Sequence, residues 1–563
     1  MPEKPGRLAG WLLPALAGVA SVIVAAGIGE LAAAVLASAS SPFAVVGSMM
    51  IDLAPGWAKD AAIALFGTAD KAALLVDIAI VLLAVAAVAG VLEARRPPWG
   101  QVLIWAIGAV GVLAAVTRAN ASMLAFAPSA LAAIAGVATL RLLVQRLPDR
   151  AGRADAASRA DAAGTEVAAA SRADAAGTTP SGSTTPASTT PAATMPVATT
   201  TTNATASAAL DRRRFLAWAG GAAAIGALAA IGGYAMQAGS RAVTAVREAI
   251  TLPKATAAAS VPQGAELGID GLTPVITPNG EFYRIDTALA VPAVEPADWS
   301  LRIHGDVERE VTLTWDELLA LPLEESITTL ACVSNEVGGD LIGTAVWLGY
   351  PIRELLARAV PSADADMVLS RSIDGFTAST PLEVLQDDRN AVLAVGMNGE
   401  PLPAEHGFPV RMVVPGLYGY VSATKWVTEL EVTRFDAASA YWTDRGWSER
   451  GPIKLSSRID VPRSGQQVNA GTVVVAGVAW QQHVGVAAVD VKVDDGPWRP
   501  ATLATPISDD TWVQWRFEWD AAPGTYSLRV RATSADGEVQ TSDEQGVVPD
   551  GATGLDERTI TVS

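Results

Sequence analysis

Thr328-Thr329-Leu330-Ala331-Cys332-Val333-Ser334-Asn335 is the stretch on which the reading of this chain turns. An apolar, strand-like run ends at a cysteine and gives way to a polar, Gly-rich segment from Asn335 to Gly343. A lone cysteine is ordinarily a small buried hydrophobe, and Cys332 is the only one among 563 residues. It has no intrachain disulfide partner and cannot build a four-thiolate cluster. With three histidines, His304, His406 and His483, multi-histidine metal sites also lack raw material.

The segments on either side of this stretch mix short strands with short helices. Ser300 to Val307, Val311 to Thr314, Met367 to Ser370 and Val410 to Pro415 read as strands, and Trp315 to Ala320, Pro351 to Ala359 and Pro381 to Leu385 as helical pieces. That mixture predicts an α+β domain over 273–438 rather than a doubly wound one. No Gly-x-Gly-x-x-Gly, P-loop or Gly-x-Ser-x-Gly elbow occurs, so nucleotide binding and serine hydrolysis have no basis. A net charge of -18 argues against nucleic acid as a partner.

Toward the N-terminus the composition changes. Half of all residues are hydrophobic and only 17% are charged, a balance that points to lipid. Four apolar stretches, Leu8 to Ala39, Ala72 to Leu92, Gln101 to Val116 and Met123 to Val144, are each long enough to cross a bilayer, giving a four-helix transmembrane region over 1–148. Basic residues at Lys4 and Arg7, at Arg95 and Arg96, and at Arg141, Arg146 and Arg150 mark alternate ends, which predicts that both termini of this bundle are cytoplasmic. None of these helices carries a histidine, so they cannot hold haem b by paired imidazoles, and we read them as an anchor or docking platform. Glu30 and Asp77 are the intramembrane acids that would argue for more, unless each sits near a helix end or in a satisfied pair. The stretch Pro42 to Phe66 is apolar enough to lie in the interface or re-enter.

Residues 149–209, rich in Ala, Thr, Ser and Pro, cannot bury enough side chain to offset their entropy and predict a disordered linker. Asp211-Arg212-Arg213-Arg214-Phe215-Leu216 then precedes an apolar run, predicting a fifth anchor over 210–240 that resembles a twin-arginine export signal. The plainer reading is a helix held by flanking positive charge. Both readings place the remainder outside the cytoplasm, after a connecting segment over 241–272.

Toward the C-terminus, Thr472 to Trp480, Ala487 to Val493, Val513 to Trp519 and Thr525 to Ala532 alternate apolar and polar residues, predicting an antiparallel β-sandwich over 439–563. Trp480, Trp498, Trp512, Trp515 and Trp519 are expected as core and interface aromatics rather than a carbohydrate-binding face. His483 and Asp509-Asp510 are expected in solvated loops.

Taken together, the cysteine stretch, Trp347-Leu348-Gly349-Tyr350-Pro351, Phe376-Thr377-Ala378-Ser379-Thr380-Pro381-Leu382, the long block Met397-Asn398-Gly399-Glu400-Pro401-Leu402-Pro403-Ala404-Glu405-His406-Gly407-Phe408-Pro409-Val410-Arg411, Val414-Pro415-Gly416 and Lys425-Trp426-Val427 resemble the sulfite oxidase family of molybdenum enzymes. The resemblance runs from about Thr273 to the C-terminus. It implies a multi-domain protein: an N-terminal α-helical membrane bundle, a central α+β molybdopterin-binding domain, and an immunoglobulin-like β-sandwich through which a homodimer could form.

The cofactor implied is molybdenum with molybdopterin, Cys332 being the protein's ligand to the metal, a soft thiolate suited to it. The resemblance places Asn279, Tyr283, Arg284, Ser372, His406, Arg411, Ser422, Thr424 and Lys425 at the cofactor, with Arg411 and Lys425 suited to its phosphate. Cys332 and Arg284 are the expected catalytic residues. The implied activity is oxygen-atom transfer to or from a small molecule, sulfite-like or an S- or N-oxide, on the extracytoplasmic side of the cell membrane. Electrons would pass to or from a separate partner, a haem protein or the quinone pool. Asn335-Glu336-Val337 departs from the basic residues that follow the cysteine loop in sulfite oxidases and opposes a dianion, unless Arg284 or Arg371 restores positive charge. The alternative is a catalytically silent, membrane-anchored binding or sensory protein that retains the fold.

Overall fold

The computed structural model describes residues 9–37, 40–53, 70–117, 123–147, 203–237, 245–288 and 291–563. The chain divides into two compact units, Met1–Ala238 and Gly239–Ser563.

Helices Ala9–Leu36, Asp70–Arg95, Trp99–Val116, Ala127–Gln145 and Asn203–Gln237 make up most of the first unit, with a shorter helix Pro42–Leu53. The first five each contain a run long and apolar enough to cross a membrane. They approach closely at small residues: a Cβ on Gly18 or Gly90 would run into the backbone of Ala86 or Pro14, and Gly226 meets Ile23 in the same way. Glu93, Gln101 and Arg141 tie three helices together, Gln101 Nε2 donating to Glu93 Oε1 at 2.6 Å and Arg141 Nε to Gln101 Oε1 at 2.6 Å. Glu30 accepts from the Ser41 hydroxyl at 2.8 Å and from the Phe43 N–H at 3.5 Å, in the first turn of the short helix, which makes it a capping acid. Asp77 lies in the first turns of its helix, with its side chain exposed.

In the first unit one boundary shifts. The fifth helix begins at Asn203, so the last residues of the expected linker are helical, because Ala204 to Leu210 is Ala-rich and extends an existing helix without a new nucleation cost. The rest of the expected linker, and most of the second half of Pro42 to Phe66, lie outside the described residues.

In the second unit, β1 (Ser300–Gly305), β2 (Val311–Thr314), β5 (Met367–Ser372), β6 (Thr377–Pro381) and β10 (Val427–Thr433) form one sheet in the order β2-β1-β10-β5-β6. A second sheet takes β3 (Glu324–Ala331), β4 (Ile342–Pro351), β7 (Val392–Met397) and β8 (Glu400–Pro401) in that order, with β9 (Arg411–Val413) also paired to β7. Asn398 and Gly399 both have positive φ, 52° and 82°, at the tight β7–β8 turn that Asn-Gly favours. The short helices sit where the sequence places them, Trp315–Leu319 behind a Thr314–Glu317 capping box. The buried core includes Leu301, Leu318, Leu355, Leu393, Met412 and Trp426.

The sandwich packs β11 (Ser456–Val461), β13 (Gly471–Trp480), β17 (Val513–Ala521) and β16 (Thr502–Leu503) against β12 (Gln467–Val468), β19 (Glu557–Val562), β18 (Gly524–Ser534), β14 (Val486–Val493) and β15 (Arg499–Pro500). Val513, Trp515 and Phe517 alternate inward with Arg516 and Glu518 outward, the pattern read from the sequence. Trp480, Trp512 and Trp515 are buried, as core aromatics should be. The stretch from Ser439 to Trp447, expected with the sandwich, packs on the α+β domain instead: the Tyr441 N–H donates to Thr377 Oγ1 at 3.0 Å, and Trp442 and Trp447 lie against its core.

Candidate active site

Cys332 stands just past the end of β3, its N–H donating to Leu341 O at 2.9 Å so that the following loop closes back on the strand. Its side chain borders a cavity lined also by Tyr283, Ser372, Arg411 and Lys425. Burial pushes the thiol's pKa up. Hydrogen bonds from the Ser334 backbone and hydroxyl and the charge of Lys425 oppose that shift, so the sulfur already faces donors that favour thiolate.

The cations are held by the backbone. Arg411, buried on β9, donates from Nη1 to His406 O at 3.1 Å, and its Cζ lies 5.1 Å from the centroid of Trp347. Burial lowers its pKa to about 10. Lys425 donates to Glu405 O at 2.9 Å and pairs with Asp286 at 3.2 Å. Desolvation brings its pKa down to about 8 against the pull of Asp286. Trp426, next in the chain, has a φ of 50°, an uncommon conformation for a bulky residue, and is fixed by its indole N–H donating to Ala404 O at 3.0 Å.

His406 is buried, with Nε2 at 3.2 Å from Asn279 O. Burial, then the charges of Arg411 and Lys425, lower its pKa to about 3, so the ring is neutral. A carbonyl can only accept, so Nε2 carries the proton and Nδ1 is a bare acceptor; it has no hydrogen-bond partner among the described residues. Asn279 is joined to the β7–β8 turn through Asn398, whose amide donates to Asn279 Oδ1 at 2.8 Å, and lines a second cavity with Arg247 and Glu405.

Asn279 and His406 do not line the cavity with Cys332, and three further expected residues point elsewhere. Arg284 is 42% exposed, pairs with Asp286 at 3.0 Å and does not line the cavity with Cys332. The Ser422 hydroxyl donates to Tyr418 O at 3.0 Å and that of Thr424 bonds Ser370 at 2.7 Å, both turned into the protein. The expected acidic opposition of Glu336 is also displaced, because its side chain is exposed outside the cavity. Arg371 is held by Glu429 at 3.1 Å and is likewise absent from the lining.

Other residues reach the cavity that sequence reading did not select. Asp286 and Asp374 bring negative charge, while Phe376, Tyr420, Trp442 and Trp447 form an aromatic wall. The aromatic run Tyr441-Trp442 and Trp447 was visible in the sequence; what hid its role was its assignment to the neighbouring domain.

The residues that line the cavity fit an anionic, sulfur-ligated group, with a thiol among donors and two buried cations, while the orphaned imidazole acceptor of His406 lies outside that lining. A family model for the oxidoreductase molybdopterin binding domain matches residues 288–442, and one for a bacterial Ig domain matches 456–530. Human mitochondrial sulfite oxidase is 29% identical over 309 residues, 46% of this chain and 56% of that protein. The uncharacterized oxidoreductase YuiH of Bacillus subtilis is 31% identical over 153 residues, 27% of this chain and 74% of that protein. The sulfane dehydrogenase SoxCD from Paracoccus pantotrophus superposes with a TM-score of 0.44 at 22% identity, covering 54% of this chain and 88% of that one. The chain spans about half the length of the mammalian sulfite oxidases it matches. With the cysteine, the cations and the sequence matches in register over one domain, the chain belongs to the sulfite oxidase family of molybdopterin-dependent oxidoreductases.

Proposed function

We propose that this protein is a membrane-anchored molybdenum oxidoreductase that transfers an oxygen atom to or from a small organic molecule on the extracytoplasmic side. The observation that carries the reading is the placement of Cys332, the chain's one thiol, in a cavity with Arg411 and Lys425. Cys332 would ligate the metal. Arg411 and Lys425 would hold the anionic part of the cofactor, and Asn279, Tyr283, Ser372 and His406 would border the pterin. When bound, the cofactor supplies the two-electron redox chemistry of oxygen-atom transfer. The chain's own residues orient it and keep the thiol out of water.

Aromatic rings and the carboxylate of Asp374 support a neutral or cationic S- or N-oxide over the sulfite dianion. Five apolar helices and the alternation of flanking arginines support anchoring, and the Arg-Arg-x-Phe-Leu run before the fifth helix supports export of the domain. Electrons would be exchanged with a separate haem protein or the quinone pool.

The test is the molybdenum content of the detergent-purified full chain by elemental analysis, beside Cys332→Ala. About one metal per chain, with the variant altered in metal spectrum or inactive, supports the enzyme. Absence of metal and pterin from protein made in a cofactor-competent host leaves the silent binding protein as the better account.

A further inference from the structure

Strand β3 is the edge of its sheet, and an edge strand carries backbone groups that must find partners elsewhere. At Thr329, three residues before Cys332, those partners come from the sandwich. The Thr329 N–H donates to Asp510 O at 3.0 Å, its carbonyl accepts from Gln482 Nε2 at 3.2 Å, and its hydroxyl accepts from the Trp512 N–H at 2.8 Å. Thr329, Gln482 and Trp512 are each at most 2% exposed. Asp510 is buried with them and bonds His483 Nδ1 at 3.1 Å, so Asp510 belongs to a packed seam, while His483 and Asp509 are exposed in loops as the sequence predicts.

The loop after Cys332 is held from the same side. Arg458, on β11, donates from Nη1 to Gly339 O at 2.7 Å and from Nη2 to Thr273 Oγ1 at 2.9 Å, and its side chain is braced by Asp460 at 2.7 Å with both at 8% exposure. Arg558, on β19, donates from Nη2 to Gly338 O at 3.2 Å and pairs with Asp556. Gly338 has a φ of 72°, and a Cβ there would collide with the Asp556 carboxylate, so loop and sandwich are in van der Waals contact.

We propose that the β-sandwich clamps the Cys332 loop from both ends, and that Arg458 and Arg558 are positioning residues for the thiol. A loop between an edge strand and a Gly-rich return is free to open unless its carbonyls are fixed. Two guanidinium groups supply charge-assisted bonds to successive carbonyls, and the Thr329 seam stops the strand from peeling. The sandwich thus serves each chain's own site, whether or not it also pairs two chains.

The inference takes Cys332 as the metal ligand proposed above, but its test reads the loop whether or not metal binds. Full chain is prepared in detergent from a host unable to make molybdopterin, and the rate of iodoacetamide alkylation is followed by mass spectrometry; with one cysteine in the sequence, the signal is Cys332 alone. Arg558→Ala and Arg458→Ala are expected to raise the rate about tenfold over wild type. Arg529→Ala, which removes an exposed sandwich pair with Glu557, is expected to leave it unchanged. In cofactor-loaded protein, Arg558→Lys is expected to shift the Mo(V) paramagnetic resonance signal at unchanged metal content. Equal alkylation rates in wild type and both arginine variants overturn the proposal, as does an equal acceleration by Arg529→Ala. If Arg458→Ala does not fold, Arg558→Ala decides alone, since that side chain is 25% exposed and tolerates truncation. Metal content of the wild type, measured separately, reads the ligand assignment.

Discussion

The ammonium of Lys425 lies 3.2 Å from the Asp286 carboxylate, whose side chain is only 4% exposed and which also takes Arg284 at 3.0 Å. One buried acid therefore holds one cation in the cavity and one outside it. This arrangement assigns Arg284 to balancing charge at the rim and leaves Lys425 as the cation at the thiol. Lys425→Met removes that cation from the cavity, so cofactor retention on gel filtration is expected to fall about tenfold or more. Arg284→Gln is expected to have the smaller effect; equal losses would return Arg284 to the site.

Cys332→Ser keeps the size of the side chain but removes the soft ligand. The expected outcome is loss of catalytic turnover by about three orders of magnitude, with the melting temperature of the apo protein changed by no more than a few degrees. A comparable drop in melting temperature and activity together would make the cysteine a packing residue.

His406 gives a pH dependence with a definite sign. Its folded pKa, about 3, lies below its ordinary value of 6.5, so the unfolded chain binds the extra proton first. The stability contributed by the neutral ring is complete above about pH 6.5 and is lost progressively as pH falls toward 3. His406→Gln, which cannot titrate, is expected to lose less stability over that window. Melting temperatures of the two apo proteins from about pH 4 to about pH 7 measure the difference, and parallel curves would refute the buried neutral ring.

Trp442 and Trp447 stand 6.1 Å apart, edge to face, on the cavity wall. Truncating Trp442 to Ala is expected to raise KM for a small organic S-oxide about tenfold while kcat changes little, because a wall residue binds substrate and transition state alike. If kcat falls and KM holds, the ring acts on the reaction step instead.

In the first unit, Gly226 packs on the Ile23 backbone with a Cβ position 2.6 Å from its carbonyl oxygen. Gly226→Val forces the fifth helix off the first and is expected to cost about 2 kcal/mol or more, seen as faster proteolysis in detergent. Wild-type resistance in that variant would detach the fifth helix from the bundle. Gly221, with open space around it, is the control position.

Much of this molecule was legible in the chain. Hydrophobic run lengths set the five apolar helices, period-two alternation set the sandwich strands, and the block from Met397 to Arg411 identified the domain, because each of these signals is local and survives without knowledge of neighbours. Tertiary structure alone decided which side chains face the cavity. Asp286 and Lys425 are 139 residues apart in sequence, and Thr329 and Trp512 are 183 apart. Such pairs meet only where strands cross over between sheets and an edge strand meets another domain's loops. For the same reason the chain does not show that Arg284 and Glu336 stand outside the cavity lining: the charge a residue gives a site depends on its partner and its direction, and neither is written in the residue itself.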